Sequence, residues 1–163
     1  MTKKYGIGVA ATAIALTALM GGPAEAQGAP PAAEPYRPGL GDLMTMTVQP
    51  RHIKLALAGR EANWAYAKYE LHELQEAFER MIRVWPRYKG LPLGGMVDAI
   101  AQGPMAEGAQ AIEGKSSEQF TGAMARLTEG CNACHQAANV GMVVIKFPDA
   151  SSFPDQDFRP QKP

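Results

Sequence analysis

Residues 64–85 read WAYAKYELHELQEAFERMIRVW. Trp64, Ala67, Leu71, Leu74, Phe78, Met81 and Trp85 recur at alternating steps of three and four residues. That is the seam of a helix packed among other helices. Glu70, His72, Glu73, Glu76, Glu79, Arg80 and Arg83 fall outside the seam and read as a solvated face. Glu76–Arg80 and Glu79–Arg83 are favourable pairs one turn apart. The helix opens at Glu61 or Asn63, and Pro86 stops it because proline lacks the N–H that a helix interior needs.

The same period extends outward from this segment. Leu40, Met44, Val48 and Leu55 share a face, with Leu43 and Thr47 beside them. Pro50 kinks this first helix, and Gly59 ends it. Downstream, residues 89–95 form a Gly/Pro loop and Met96–Ala101 a short helix. Gly103-Pro104 breaks that helix, and Pro104 starts a second piece toward Glu113. Ser116 and Gln119 form a capping box for the last helix. Its seam is Phe120, Met124, Leu127, Cys131, Cys134 and Ala138. Beyond Gly141 no helical period remains, and Phe147, Phe153 and Phe158 stand among polar residues as anchors for an extended segment. The expected fold is all-α: a four-helix bundle (39–140) with a broken third helix, plus an extended C-terminal tail (141–163) packing on the bundle.

The last helical seam runs into Cys131-Asn132-Ala133-Cys134-His135, which has the C-x-x-C-H spacing of a c-type haem attachment site. Two thiols can add to the two haem vinyl groups, and the adjacent imidazole can ligate the iron. These are the only two cysteines in the chain. A thioredoxin-like C-x-x-C would want a strand before the motif, and none is visible. The expected cofactor is therefore one covalently attached haem c, held by Cys131 and Cys134 with His135 axial.

Residues 1–26 carry the marks of a secretory leader: Lys3 and Lys4, an apolar run from Gly6 to Met20, and Ala24-Glu25-Ala26. Residues 27–38 are rich in Pro, Ala and Gly and read as a flexible lead-in. A secreted or periplasmic location is expected, with no membrane span after leader cleavage. The 16 basic residues balance the 16 acidic ones. Loss of Lys3, Lys4 and Glu25 leaves one net negative charge, so no nucleic-acid partner is expected.

Four amphipathic helices with Cys131, Cys134 and His135 late on the fourth resemble the cytochrome c-prime and cytochrome c-556 family. The resemblance covers residues 40–138; only the three motif residues are specific to it. The interrupted third helix and the long tail depart from the family pattern. The resemblance implies a mono-haem electron-transfer protein whose sixth iron position faces the first helix, and a homodimer through the first two helices. Met44 lies on that helix's apolar face, as a distal ligand or as ordinary packing. With Met44 as ligand the protein is an electron carrier that meets a redox partner protein. With an open sixth site it is a gas binder for nitric oxide or carbon monoxide. Met46 and Met142 are placed less well. His52 beside Arg51 reads as a surface or propionate-contacting histidine. A peroxidase would need His52 as a distal acid–base group over an open iron; no enzyme activity is expected. Arg51, Lys54 and Arg60 are candidate propionate partners.

Overall fold

The computed structural model describes residues 35–162. The expected leader (1–26) and most of the lead-in lie outside the described residues. The chain contains α1 (Leu40–Leu43), α2 (Gln49–Arg60), α3 (Trp64–Val84), α4 (Leu93–Val97), α5 (Gly103–Glu113) and α6 (Ser117–Ala137). A two-stranded antiparallel ladder joins β1 (Arg87–Tyr88) to β2 (Leu91–Pro92). The architecture is all-α apart from this hairpin. Lys89 and Gly90 both have positive φ, 48° and 86°, the pattern of a two-residue hairpin turn.

α1 and α2 are joined by a π-helical turn, Met44–Val48, and α4 and α5 by a second, Asp98–Gln102. The helical course is therefore continuous over 40–60 and 93–113. Each π turn ends two residues before a proline, Pro50 and Pro104. A proline inside a helix offers no N–H and crowds the carbonyl four residues back. Widening the preceding turn relieves both problems without ending the helix. The expected break at Gly103-Pro104 thus takes the milder form of a widened turn, and the kink at Pro50 has the same origin.

α2 packs on α3, α3 on α5, α5 on α6, and α6 on α2, so the four helical runs close a circuit around one core. Leu55, Leu74, Met81, Phe120 and Leu127 are among its fully buried side chains. The middle of the α3 seam is buried as its period demands, with Ala67, Leu71, Leu74, Phe78 and Met81 inside, while Trp64 and Trp85 at its two ends are half-buried. Asn63 caps α3 by accepting the Tyr66 N–H at 3.2 Å, and Ser116 caps α6 by accepting that of Gln119 at 3.3 Å.

Two glycines set how closely these helices approach. Gly59 does not end α2: it is buried within it, and a Cβ there would overlap the Phe120 ring. A Cβ on Gly130 would stand 2.7 Å from the Ile100 carbonyl oxygen in the second π turn. Gly130→Ala is expected to push that turn off α6 and to cost about 2 kcal/mol, an overpacking penalty, read as a lower urea midpoint with an unchanged slope. A midpoint within error of the parent would show that the two helices do not need this approach.

The tail lies against α2 and α3 without helix or strand of its own. Phe158 is buried and packs on Tyr66, with ring centroids 5.8 Å apart. Asn63 Nδ2 donates to the carbonyls of Phe158 and Arg159, both at 3.2 Å. Arg60 donates to the Asp149 carbonyl at 2.8 Å, and Lys54 stands over the Phe153 ring at 4.6 Å. At the other end, the last lead-in residues are also fixed. Arg37 donates to the Val84 carbonyl and stacks over Trp85, whose Nε1 donates to the Pro38 carbonyl.

Candidate functional site

The start of the first helical run, the end of α3, the start of the third run and the end of α6 converge on one cavity of about 250 Å³. Successive runs therefore alternate in direction. Cys131, Cys134 and His135 line one wall. Met44, Val48 and His52 line another, with Phe78 and Met81 from α3 between them. Val97 and Ile100 from the third run, and Val140, Val143 and Ile145 from beyond α6, complete the enclosure. No Lys, Arg, Asp or Glu is among its described lining residues.

Both π turns border this cavity, through Met44, Thr45 and Val48 in the first and Ile100 in the second. A widened turn advances the helix by less than 100° per residue. It therefore rotates the downstream residues and brings His52 onto the line of Met44 and Val48. In a regular helix His52 would have drifted off that line, which is why the α-helical period placed it at the surface. Met46 is 74% exposed and Met142 81% exposed, so both point away.

Burial pushes the Cys131 thiol up to about 11 and raises Cys134 as well. The motif also sits at the C-terminal end of α6, where the helix dipole opposes a thiolate. A disulfide-exchange centre needs the opposite arrangement, a thiolate favoured by its surroundings. The two cysteines are not bonded to each other and stand one helical turn apart on an apolar wall.

His135 makes one decisive hydrogen bond: Nδ1 lies 2.6 Å from the Val143 carbonyl oxygen. A carbonyl only accepts, so Nδ1 carries the proton. In the neutral ring Nε2 then holds a free lone pair, the form in which imidazole ligates a metal. Two thiols, a correctly set imidazole and an uncharged apolar enclosure suit a covalently held haem. Met44 is half-buried on the facing helix, within the same cavity.

His52 is buried, at 5% exposure, rather than at the surface. Its Nε2 is 3.0 Å from Thr128 Oγ1, and that hydroxyl donates to the Met124 carbonyl at 2.8 Å. The hydroxyl's one proton is thus committed, so Nε2–H is the donor to it. Burial pushes the His52 imidazole down to about 4. An unfolded histidine titrates near ~6.5. Between those values the unfolded chain binds more protons, so stability is full above pH ~6.5 and falls as the pH drops toward 4. The expected loss is on the order of 3 kcal/mol across that window. His52→Leu should flatten it, as read from urea midpoints at several pH values. An equally steep slope in the variant would assign the pH dependence to other groups.

The three expected propionate partners are engaged elsewhere. Arg51 pairs with Glu70 at 3.2 Å and Glu73 at 3.0 Å, while Lys54 and Arg60 hold the tail. Glu70, read as solvated, is 1% exposed. It lies under Arg51 and beside the Tyr66 hydroxyl, whose pKa is raised by burial and by that carboxylate. Trp64 packs edge-on to Phe120 and does not line the cavity; Tyr69 is 51% exposed. His72 is exposed beside Glu76, as its position on α3 predicts.

The sequence reading missed Asn132, Tyr88, Val140 and the tail residues Val143 and Ile145. Tyr88 reaches the cavity from the hairpin. The one local signal for the residues beyond α6 is the apolar run Met142-Val143-Val144-Ile145. Comparison with protein-family models, curated proteins and solved structures returned no match for this chain.

Proposed function

We propose that the chain is an exported mono-haem c-type cytochrome built as a four-helix bundle, and that it transfers single electrons. The observation that carries this reading is the gathering of Cys131, Cys134, His135 and Met44 on the walls of one uncharged cavity. Cys131 and Cys134 hold the haem through thioethers, His135 Nε2 supplies the proximal ligand and Met44 the distal one. When bound, the haem supplies an iron that cycles between two oxidation states. The chain's residues set which state is favoured. An apolar, charge-free enclosure and a thioether ligand both favour the reduced iron, and the Val143 carbonyl on His135 opposes them. Val143 is 50% exposed, so His135 is one hydrogen bond from the surface. That gives a short route to a redox partner protein. Export follows from the leader, since the two thiols are modified outside the cytoplasm in bacteria.

The test is the spectrum and redox titration of the protein matured with its haem. A reversible one-electron titration and the long-wavelength charge-transfer band of a methionine-ligated ferric haem are expected. A high-spin ferric spectrum with fast carbon monoxide binding would overturn the ligand assignment and make the protein a gas binder.

A further inference from the structure

Asn132 occupies one of the two positions between the cysteines whose identity the attachment chemistry leaves open. Its side chain nevertheless makes two bonds to a single distant residue. Nδ2 donates to the Ile145 carbonyl at 2.8 Å, and Oδ1 accepts the Ile145 N–H at 2.7 Å. A carboxamide presents one donor and one acceptor side by side, so it can satisfy both backbone groups of one extended residue. This is how a neighbouring strand would bind, reduced to one side chain.

The segment held in this way is the one that orients the proximal histidine. Two residues before Ile145 is Val143, whose carbonyl accepts the His135 Nδ1–H at 2.6 Å. On its near side that carbonyl is anchored by a turn, with Val143 N–H donating to the Val140 carbonyl at 2.9 Å. Val140 N–H in turn donates to the His135 carbonyl at 2.9 Å, where Asn139 takes a positive φ of 56° and reverses the chain. The far side has no helix or strand to hold it. The Asn132 clamp is what closes the loop from the motif, out along the tail and back to the motif.

We infer that Asn132 is a positioning residue for the haem iron: by clamping Ile145 it holds the Val143 carbonyl on His135 Nδ1 and so lowers the reduction potential. The inference rests on the haem reading above. A hydrogen bond from Nδ1–H to a carbonyl makes Nε2 a stronger donor, and a stronger donor favours the oxidised iron. Releasing the clamp weakens that donor and raises the potential. The histidine remains bound and the haem remains attached, because neither depends on Asn132.

The test compares three haem-loaded mature proteins: the parent, Asn132→Ala and Ile145→Pro. The second substitution leaves the motif intact and removes the N–H that Asn132 accepts. Both variants are expected to raise the potential. Both should also speed exchange of the His135 Nδ1 proton about tenfold or more, followed by NMR of the reduced protein, as expected for losing one or two modest hydrogen bonds. The double variant should move the potential no further than either single one, since both break one clamp. A merely structural role would lower the unfolding midpoint and leave the potential in place; that result overturns the inference. If neither variant accumulates, the parent protein decides. A slowly exchanging Nδ1 proton with cross-peaks to Val143 and Val144 supports the assignment, and a proton in fast exchange with water overturns it. The two readings fail separately. A parent protein with no attached haem sinks both, whereas attached haem with an unmoved potential in Asn132→Ala sinks only the clamp.

Discussion

Met44→Ala in the haem-loaded protein is expected to abolish the methionine charge-transfer band and give a high-spin ferric spectrum. Carbon monoxide should then bind the reduced form far more tightly. A distal ligand that fills the site nearly all the time lowers the apparent affinity of an incoming gas by the fraction of time the site is open. Removing a ligand bound about 99% of the time therefore raises that affinity about a hundredfold. The packing cost is small beside this. Met44 is only half-buried, next to an existing cavity, so truncation should take about 1–2 kcal/mol from stability, below the range for a fully buried methionine. The spectral change and the gas affinity thus report on ligation, while the urea midpoint reports on packing. An unchanged spectrum in Met44→Ala would remove Met44 from the iron. His52, on the same line of the same helix, would then be the next residue to substitute.

The largest expected loss of stability comes from the buried acid on α3. Glu70 is 1% exposed, and its cationic partner Arg51 is 29% exposed at the side chain. Arg51→Met keeps most of the aliphatic stem and removes the charge. Glu70 is then left buried with the Tyr66 hydroxyl beside it and no cation. Breaking a buried pair from one side costs about 3–5 kcal/mol. The exposed part of Arg51 and the remaining polar neighbour put this case near ~3 kcal/mol, or a fall in Tm of about 10 °C. Adding Glu70→Gln removes the stranded charge and should recover most of the loss. The double-mutant cycle then gives the coupling between the two residues. A single-variant cost below ~0.5 kcal/mol would mean that the pair behaves as an exposed one.

The helices were legible because burial on one side of a helix imposes a period, and α3 and α6 carry that period without a break. Pro50 and Pro104 were visible as disturbances, but their outcome was not. Whether a proline ends a helix or widens the turn before it depends on what packs across it, and here core-facing residues continue on both sides. His52 was misplaced for that reason: a widened turn changes the phase, and a regular period cannot register it. Glu70 was misplaced for another. Its position on α3 is polar by period, but α2 lays Arg51 over it, and such a lid comes from a different part of the chain. Gly59 reads as a helix end in isolation and proves to be the floor under Phe120.

At the site, Cys131, Cys134 and His135 stand out in the sequence by their spacing, and the fold lines one cavity with all three. The seam of the first helix puts Met44 on its apolar face, and the fold turns that face to the cavity. Asn132 carried no local signal at all. Its partner is 13 residues away in a segment without period, and only the fold of the tail brings the two together.

Every functional step proposed for this chain depends on covalent attachment of haem at Cys131 and Cys134. Intact mass and thiol titration of the protein, produced with its leader in a host that matures c-type cytochromes, test this most directly. The expected product is a chain heavier by one haem, with no reactive thiol and a haem that stays with the protein after acid–acetone extraction. Two titratable thiols, or a disulfide between them, on a colourless protein would contradict it.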